Sequence, residues 1–340
     1  MPDSIVVTTG ARLHFGFFAH HAAAAGARPA DQLLSRSNYG GIGLMIDSPS
    51  FVVAASKSDH DSVIGPELTP REAWVEPAVA RAVSQFRSAC PAERQPPPCT
   101  MVVRRVIPNH CGLGSGTQLA MTVAQALALL GGDGQADAPT LARRVGRGKR
   151  SAIGIHGFAR GGLLVDGGKR FEDEIGQLVG RADLPDDWRL LLVMPAASAS
   201  TGLAGQEEVA ALEKLPGMSP SLTERLCRVA LLEMLPAVAR SDCDWFGEAL
   251  FQFGRMVGEY FRPVQGGCYA DPQMAALVDW LRSEGVRGVA QTSWGPTIAV
   301  CCHNLQAAES LRARILAEPR WRGCRVQIAA PLNTGAAIQF

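Results

Sequence analysis

The sequence predicts an α+β protein of two domains: an N-terminal mixed-sheet domain over 1–184 and a C-terminal split βαβ (ferredoxin-like) domain over 185–340. The length of 340 residues suits about two domains. Strand patterns fill the first sixty residues, helical patterns dominate from about 220 to 285, and the chain ends as strand, helix, strand. Because strands and helices do not alternate strictly, the pattern is typical of an α+β fold.

The N-terminal half is built from predicted strands at 4–9, 13–18, 42–46, 51–55 and 100–107. The alanine-rich stretch 20–32 predicts a surface loop. Residues 69–72 read as a capping box that opens a helix. A second helix follows residue 116; its apolar positions run almost all round, which predicts a central buried helix.

The C-terminal half begins after the composition turns polar near 180–185. A strand is predicted at 188–194, with helices at 221–239, 245–261 and 272–285. The last elements are a strand at 297–302, a helix at 305–317 and a strand at 324–329. This ending is the basis for predicting the split βαβ arrangement.

Composition excludes several classes of function. Hydrophobic residues make up 47% and charged residues 19%, and the formal charge is +1, so nothing indicates a partner that is nucleic acid or membrane surface. No apolar run reaches the roughly 18 residues of a membrane span, and no signal peptide is recognisable. Nine cysteines without a CxxC pair predict reduced thiols, no structural zinc and a cytoplasmic location.

The stretch 108–120, Pro-Asn-His-Cys-Gly-Leu-Gly-Ser-Gly-Thr-Gln-Leu-Ala, is the most informative about chemistry. Its three alternating glycines permit close backbone approach and positive φ. The amides of such a loop, together with the start of a helix, form a cradle for phosphate. Ser115 and Thr117 add hydroxyls suited to Mg²⁺. The loop is neither a Walker loop nor a good Rossmann fingerprint; a tight strand-to-helix turn is the alternative.

Cations cluster at 143–150, where Lys149 and Arg150 are the better ligand candidates; a solvated charge run is the alternative. Arg12 and His14 lie on the same side of a predicted strand, and so suggest one wall of a site.

Two further motifs are ambiguous. The turn 291–297 contains Ser293 and an exposed-looking Trp294, which would line the same cleft or simply form a tight turn. Asp166, beside Gly167 and Gly168, would assist a metal or stabilise a turn.

Taken together, these motifs resemble those of the GHMP kinase superfamily. Within it they look like the family of β-ribofuranosylaminobenzene 5′-phosphate synthases. The resemblance is carried, in chain order, by motifs at 12–16, 40–43, 112–118, 146–150, 161–168 and 293–297. It spans nearly the whole chain and implies a two-domain GHMP-kinase-like fold.

The resemblance implies a reaction and a binding site. A phosphoribosyl group would pass from phosphoribosyl pyrophosphate to 4-aminobenzoate, releasing carbon dioxide and pyrophosphate in methanopterin biosynthesis; a homodimer is the family expectation. An ATP-dependent GHMP-type kinase is the alternative, disfavoured because 151–157 lacks the aspartate expected of such kinases. Mg²⁺ is the expected cofactor, with Ser115 and Asp166 as its ligands.

The expected roles fall into two groups. Catalysis is assigned to Arg12, His14, Lys149 and Arg150, with Arg12 or His14 orienting the benzoate carboxylate. Phosphate and substrate binding is assigned to Gly112, Leu113, Gly114, Ser115, Gly116, Thr117, Gln118, Ser293 and Trp294.

Overall fold

The computed structural model describes residues 4–21, 37–65, 72–171, 174–196 and 206–340. Most of the predicted 20–32 loop and of the 69–72 capping box lies outside these residues. Within them, eleven strands form two sheets: β1 (Ser4–Phe17), β2 (Gly41–Lys57), β3 (Ser62–Ile64), β4 (Cys99–Arg105), β5 (Leu163–Asp166), β6 (Leu178–Ala182), β7 (Arg189–Met194), β8 (Val289–Gln291), β9 (Ile298–Cys302), β10 (Arg325–Ala329) and β11 (Ala337–Gln339).

The first sheet is mixed, as predicted. Its order is β11-β1-β2-β4-β3, with β5 and β6 branching from β2, and only β3 and β4 pair in parallel. The strands predicted separately at 4–9 and 13–18 form one continuous strand, β1, with a register shift after Gly10. A Cβ on Gly10 would lie 1.9 Å from the Ile46 carbonyl oxygen, so glycine allows the chains to stay paired through the bulge.

The second sheet has the antiparallel order β10-β7-β9-β8, which confirms the split βαβ prediction. Successive side chains of β7 point to opposite faces of the sheet, and each face packs against a different apolar cluster. Leu191 and Val193 pack in one apolar cluster with α9 (Pro272–Ser283) and α10 (Leu305–Ala317), whereas Leu190 and Leu192 join the larger core. A strand buried on both faces reads as a continuous apolar run.

Eight further helices complete the described structure: α1 (Val75–Ala89), α2 (Ser115–Leu130), α3 (Ala138–Arg144), α4 (Ile153–Arg160), α5 (Gln206–Glu213), α6 (Pro220–Val229), α7 (Leu235–Ala239) and α8 (Cys243–Gln265). A π-helical turn joins α6 to α7. Helix α2 contacts β1, β2, α1 and α4, and its apolar side chains are buried except for the half-buried Leu129. The prediction of a central buried helix is therefore confirmed. No described helix has both the length and the apolar character needed to cross a membrane.

The two halves share parts. Strand β11, from the end of the chain, pairs with β1, and the turn 292–297 between β8 and β9 lies on the glycine loop. The boundary at 184/185 therefore does not separate the two sheets, because β11 follows it in the chain and yet belongs to the first sheet. The glycine loop sits where the halves meet.

Candidate functional site

The glycine loop ends in a helix start whose amides have no internal acceptor. Gly114 has a φ of 72° and α2 begins at Ser115. The Thr117 and Gln118 amides donate to the Gly114 carbonyl oxygen. The N–H groups of residues 112–116 donate to no acceptor among the described residues. Free amides at the positive end of a helix bind anions.

Three consecutive loop carbonyls, by contrast, are all bonded. The Cys111 oxygen accepts from Thr297 Oγ1 at 2.6 Å, and the Gly112 oxygen accepts from Thr292 Oγ1 at 2.8 Å. The Leu113 oxygen accepts from the Arg12 amide at 3.0 Å. In a trans peptide the N–H points opposite to the C=O. The amides of residues 112, 113 and 114 therefore point away from these three donors.

The three glycines serve different purposes. Cβ atoms on Gly112 and Gly114 would lie 2.3 Å from the Thr292 oxygen and 2.8 Å from Arg12 Nε, so both permit close packing within the protein. The expectation of positive φ is wrong for Gly116, which lies in the first turn of α2. Among the described residues, only the Arg147 guanidinium lies within 4 Å of where a Gly116 Cβ would be, which leaves space for a ligand on this side of the loop.

Arg12 lies over Gly114 and has no acceptor for its guanidinium among the described residues. Burial lowers the pKa of Arg12 to about 10; the negative charge of Glu208 opposes this shift and the positive charge of Arg150 adds to it. Arg12 is half-buried, and a cation that has lost part of its hydration is costly without a bonded anion. Arg12 is therefore suited to receive an anionic ligand.

His14 is buried, and its Nε2 atom has no hydrogen-bond partner in the part of the chain that the structure describes. Its ring packs edge-on against Phe17 at 5.2 Å. Burial, followed by the charge of Arg12, holds the pKa of His14 well below its usual value. The effect of Arg12 agrees with the prediction that both side chains share one side of β1. The imidazole is neutral near pH 7 and cannot serve as a resident cation for a carboxylate.

Arg147 faces the start of α2. It belongs to the basic cluster 143–150, but the sequence favours Lys149 and Arg150 as ligands instead. Its Nε atom is buried and has no partner within the described ranges. Burial lowers the pKa of Arg147, with smaller contributions from Arg81 and Arg150. Gly146 and Gly148 on either side have φ of 62° and 89°; this glycine spacing was the available signal for a turn that presents one arginine.

The other cations of that cluster have different surroundings. Lys149 is exposed and makes no hydrogen bond or ion pair with the described residues. Arg144 forms a 2.6 Å ion pair with Asp133, and so fixes the end of α3. Arg150 forms a 2.6 Å ion pair with Glu208, which offsets part of its charge.

Glu208 joins Arg150 to the turn between β8 and β9. Its second oxygen accepts from Trp294 Nε1 at 3.0 Å, and the indole stacks on Phe261 with centroids 4.2 Å apart. The prediction of an exposed Trp294 is therefore wrong. The residue is 3% exposed, and its ring links the turn to α5 and α8 through Glu208 and Phe261. Glu208 itself was missed, because α5 carries no recognisable motif. The side chain of the adjacent Ser293 is half-buried and stays a candidate ligand.

Several loop residues contribute in ways other than predicted. Gln118 is fully buried, accepts from Thr9 and donates to the Gly154 oxygen. Its assignment as a ligand is wrong, because both ends of its amide are used to join β1 to α4. The Leu113 side chain is buried too, so it offers only its backbone. Thr117, half-buried, makes no side-chain hydrogen bond among the described residues.

Ser115 Oγ donates to Asn109 Oδ1 at 3.0 Å, and this pair fits a magnesium ion carried by a phosphate ligand. Magnesium takes hydroxyl, amide and phosphate oxygens and rarely needs an all-protein cage. No cluster of three or more His, Cys, Asp or Glu side chains with metal-binding geometry occurs in the described ranges.

Asp166 stands apart from that pair. It is fully buried, and its two oxygens accept from the Ala152 and Gly168 amides. Burial raises its pKa, and these amides oppose the shift. The structure thus corrects its assignment as a metal ligand: Asp166 caps the start of α4 and closes a turn.

A cavity of about 1110 Å³ lies elsewhere, lined by residues that include Gly40, His156, Lys169 and Cys227, and by none of residues 108–118. We place the functional site at the glycine loop because unbonded amides and unpaired arginines meet there.

Comparisons with known proteins identify the family. Residues 78–162 match the family profile described as GHMP kinases N terminal domain, and residues 234–319 match GHMP kinases C terminal. The glycine loop lies within the first match and the turn 292–297 within the second.

The chain is also similar to curated proteins named beta-ribofuranosylphenol 5′-phosphate synthase. The protein from Archaeoglobus fulgidus is 28% identical over 88% of this chain and 92% of its own length. That from Methanothermobacter thermautotrophicus is 28% identical over 76% of this chain and 80% of its own.

Solved structures share the fold at low identity. Mevalonate diphosphate decarboxylase from Staphylococcus aureus superposes with a TM-score of 0.66 at 13% identity, covering 100% of this chain and 99% of that one. Homoserine kinase from Cytophaga hutchinsonii gives 0.62 at 15% identity, with 100% and 98% covered.

Proposed function

Because the chain belongs to the GHMP kinase superfamily, and the curated proteins that it resembles in sequence are named synthases, we propose that it is a decarboxylating phosphoribosyltransferase. It moves the phosphoribosyl group of phosphoribosyl pyrophosphate to 4-aminobenzoate, forming β-ribofuranosylaminobenzene 5′-phosphate in methanopterin biosynthesis. The observation that carries the proposal is the row of unbonded amides at the start of α2, flanked by the unpaired guanidinium groups of Arg12 and Arg147.

The reaction needs one bond to form and two to break. The ring carbon that bears the carboxylate attacks the anomeric carbon as its bond to pyrophosphate breaks. The bond to the carboxylate then breaks, carbon dioxide leaves and its electron pair restores the aromatic ring. Because rearomatisation drives this step, no decarboxylation cofactor is needed.

The main demand on the protein is to stabilise negative charge on the departing pyrophosphate. We assign the amides of residues 112–116 to its oxygens and Arg147 to the side next to Gly116. Ser115 and Asn109 would hold Mg²⁺, which supplies further positive charge to the pyrophosphate. Arg12 would pair with the benzoate carboxylate, since His14 is neutral. Arg150, paired with Glu208, would contribute less positive charge to the ligand than Arg12 or Arg147.

The nature of the acceptor is the finer part of the proposal. The name of the curated relatives contains a phenol, which a decarboxylating transfer to 4-hydroxybenzoate would form. A ring amine or hydroxyl donates electrons to the attacking carbon, so both benzoates are chemically competent. Direct competition between them for limiting phosphoribosyl pyrophosphate ranks the two acceptors.

The test is incubation with 4-aminobenzoate, phosphoribosyl pyrophosphate and Mg²⁺, measuring carbon dioxide and pyrophosphate. We expect equal amounts of both, and at least tenfold slower turnover for Ser115→Ala. Arg104→Ala, a change at an exposed residue of β4, is the control and should have a smaller effect. Release of ADP from ATP without carbon dioxide would instead support the small-molecule kinase.

We also propose a homodimer in the cytoplasm. Val179, Leu231 and Leu232 are large apolar residues more than half exposed, which supports an interface on this side of the molecule. All nine cysteines are free thiols, as expected in a reducing compartment. Light scattering coupled to size exclusion tests the dimer, and a monomer at micromolar concentration would exclude it.

A further inference from the structure

We propose that Thr292 and Thr297 are positioning residues that hold the glycine loop in its anion-binding form from the other half of the molecule. This rests on the proposed function in so far as the anion is pyrophosphate. Neither threonine is exposed at all, and neither was singled out as a ligand. The hydroxyls bond the carbonyl oxygens of two consecutive loop residues, Gly112 and Cys111.

The direction of these bonds determines which way the N–H groups of the loop point, and so whether they can bind an anion. Each hydroxyl draws one carbonyl towards the β8–β9 turn, and the N–H on the same peptide plane must then point the other way. Thr297 thereby orients the Gly112 amide, and Thr292 orients the Leu113 amide. Without the two hydroxyls these peptide planes can rotate, because glycine has little steric preference. Amides pointing in several directions bind an anion less well than pre-oriented ones.

The two threonines that hold the loop, Thr292 and Thr297, are called the clasp here, and they are themselves held in place by several contacts. Thr292 Oγ1 also accepts from the His14 amide at 3.1 Å, and the Thr292 amide donates to the Thr297 oxygen at 3.0 Å. The Thr292 carbonyl approaches Gly112 so closely that a Cβ there would lie 2.3 Å away. The turn therefore contacts the loop through backbone and hydroxyls at once, and has little room to shift.

The test compares isosteric variants. Thr297→Val removes one hydroxyl–carbonyl bond and keeps the shape of the side chain; Thr297→Ser keeps the hydroxyl. Thr292→Val and Thr292→Ser form the second pair. The matched control is Thr122→Val, because Thr122 is equally buried and donates to the Gln118 carbonyl at 2.8 Å within α2, away from the loop.

The readouts are the dissociation constant of magnesium pyrophosphate by calorimetry, the free energy of unfolding, and kcat and KM for phosphoribosyl pyrophosphate. We expect about tenfold weaker pyrophosphate binding for each valine variant at the loop, recovery to within about twofold with serine, and unchanged binding for Thr122→Val. Turnover should fall with binding, because the same amides stabilise the leaving group.

The outcomes separate the two proposals. If the wild type turns over and binds pyrophosphate but the loop valine variants bind equally well, the clasp is overturned and the proposed function stands. If the wild type binds pyrophosphate but forms no product, the proposed function is overturned and the clasp is judged on binding alone. If the wild type does not bind pyrophosphate, both are overturned. Weaker binding in Thr122→Val to the same extent would also overturn the clasp.

Discussion

The buried imidazole of His14 gives the stability of this protein a measurable dependence on pH. The folded pKa is depressed below the ordinary value of 6.5. As the pH falls below about 6.5, the unfolded chain takes up a proton that the folded chain excludes, so the free energy of unfolding decreases. The slope from one such group is up to about 1.4 kcal/mol per pH unit.

His14→Gln should therefore flatten the stability profile between pH 7 and pH 5. Urea unfolding at several pH values measures this, and the slopes are compared, because the variant also changes packing against Phe17. Other titrating groups, His20 among them, contribute alike to both proteins and cancel in the difference. Equal slopes would show that His14 is protonated in the folded state.

Variants of Arg147 and Lys149 test which cation of the basic cluster 143–150 contacts the ligand. The structure sets the guanidinium of Arg147 beside Gly116 and leaves Lys149 exposed. We expect Arg147→Gln to weaken pyrophosphate binding by roughly tenfold or more, since a charge-assisted contact contributes about 1.5–3 kcal/mol. Lys149→Ala, at a residue to which the sequence assigns a catalytic role, is measured in parallel, and we expect a smaller loss because Lys149 is exposed. A larger loss at Lys149 would restore the sequence-based assignment.

At the scale of a single element, Gly116 at the start of α2 lowers the stability of the helix but leaves space for a ligand. Gly116 has helical backbone geometry and open space beside it, so Gly116→Ala should raise the free energy of unfolding by up to about 1 kcal/mol. The new methyl group would stand 3.8 Å from the Arg147 nitrogens, where we place the diphosphate, and so should weaken binding. Denaturant titration and calorimetry on one variant measure both effects.

Gly114→Ala is the contrasting case. Its φ of 72° and the 2.8 Å approach of Arg12 Nε to its Cβ position make alanine unfavourable, by roughly 1–2 kcal/mol from the backbone alone. Stability and binding should both fall. If Gly116→Ala lost stability in the same way, the helical assignment of residue 116 would be incorrect.

The elements themselves were largely predictable, because α2 and β7 owe their burial to apolar patterns within one short window. The site was only partly predictable. Glycines and hydroxyls marked the loop, but the partners of its carbonyls, Thr292 and Thr297, lie some 180 residues away along the chain. Glu208 likewise gains its role only when the fold brings it to Arg150. No local pattern encodes such pairings.

On the scale of the whole molecule, the two halves should respond to ligand as one body. A single apolar cluster includes side chains from β1, α2, β7 and α8, and strand β11 returns to pair with β1. The glycine loop belongs to the N-terminal half, yet the turn 292–297 holds it from the other half. Anything that stabilises the loop should therefore also stabilise the second sheet.

Ligand-linked unfolding tests this coupling. Pyrophosphate at about 100 times its dissociation constant should add about 2.7 kcal/mol to the free energy of unfolding. Of the six tryptophans, only Trp74 precedes residue 185, so fluorescence reports chiefly on the C-terminal half, and hydrogen exchange in α2 reports on the other. Both signals should shift together, and the shift should shrink in Thr297→Val. A fluorescence transition unmoved by ligand, beside a protected α2, would mean that the halves unfold independently.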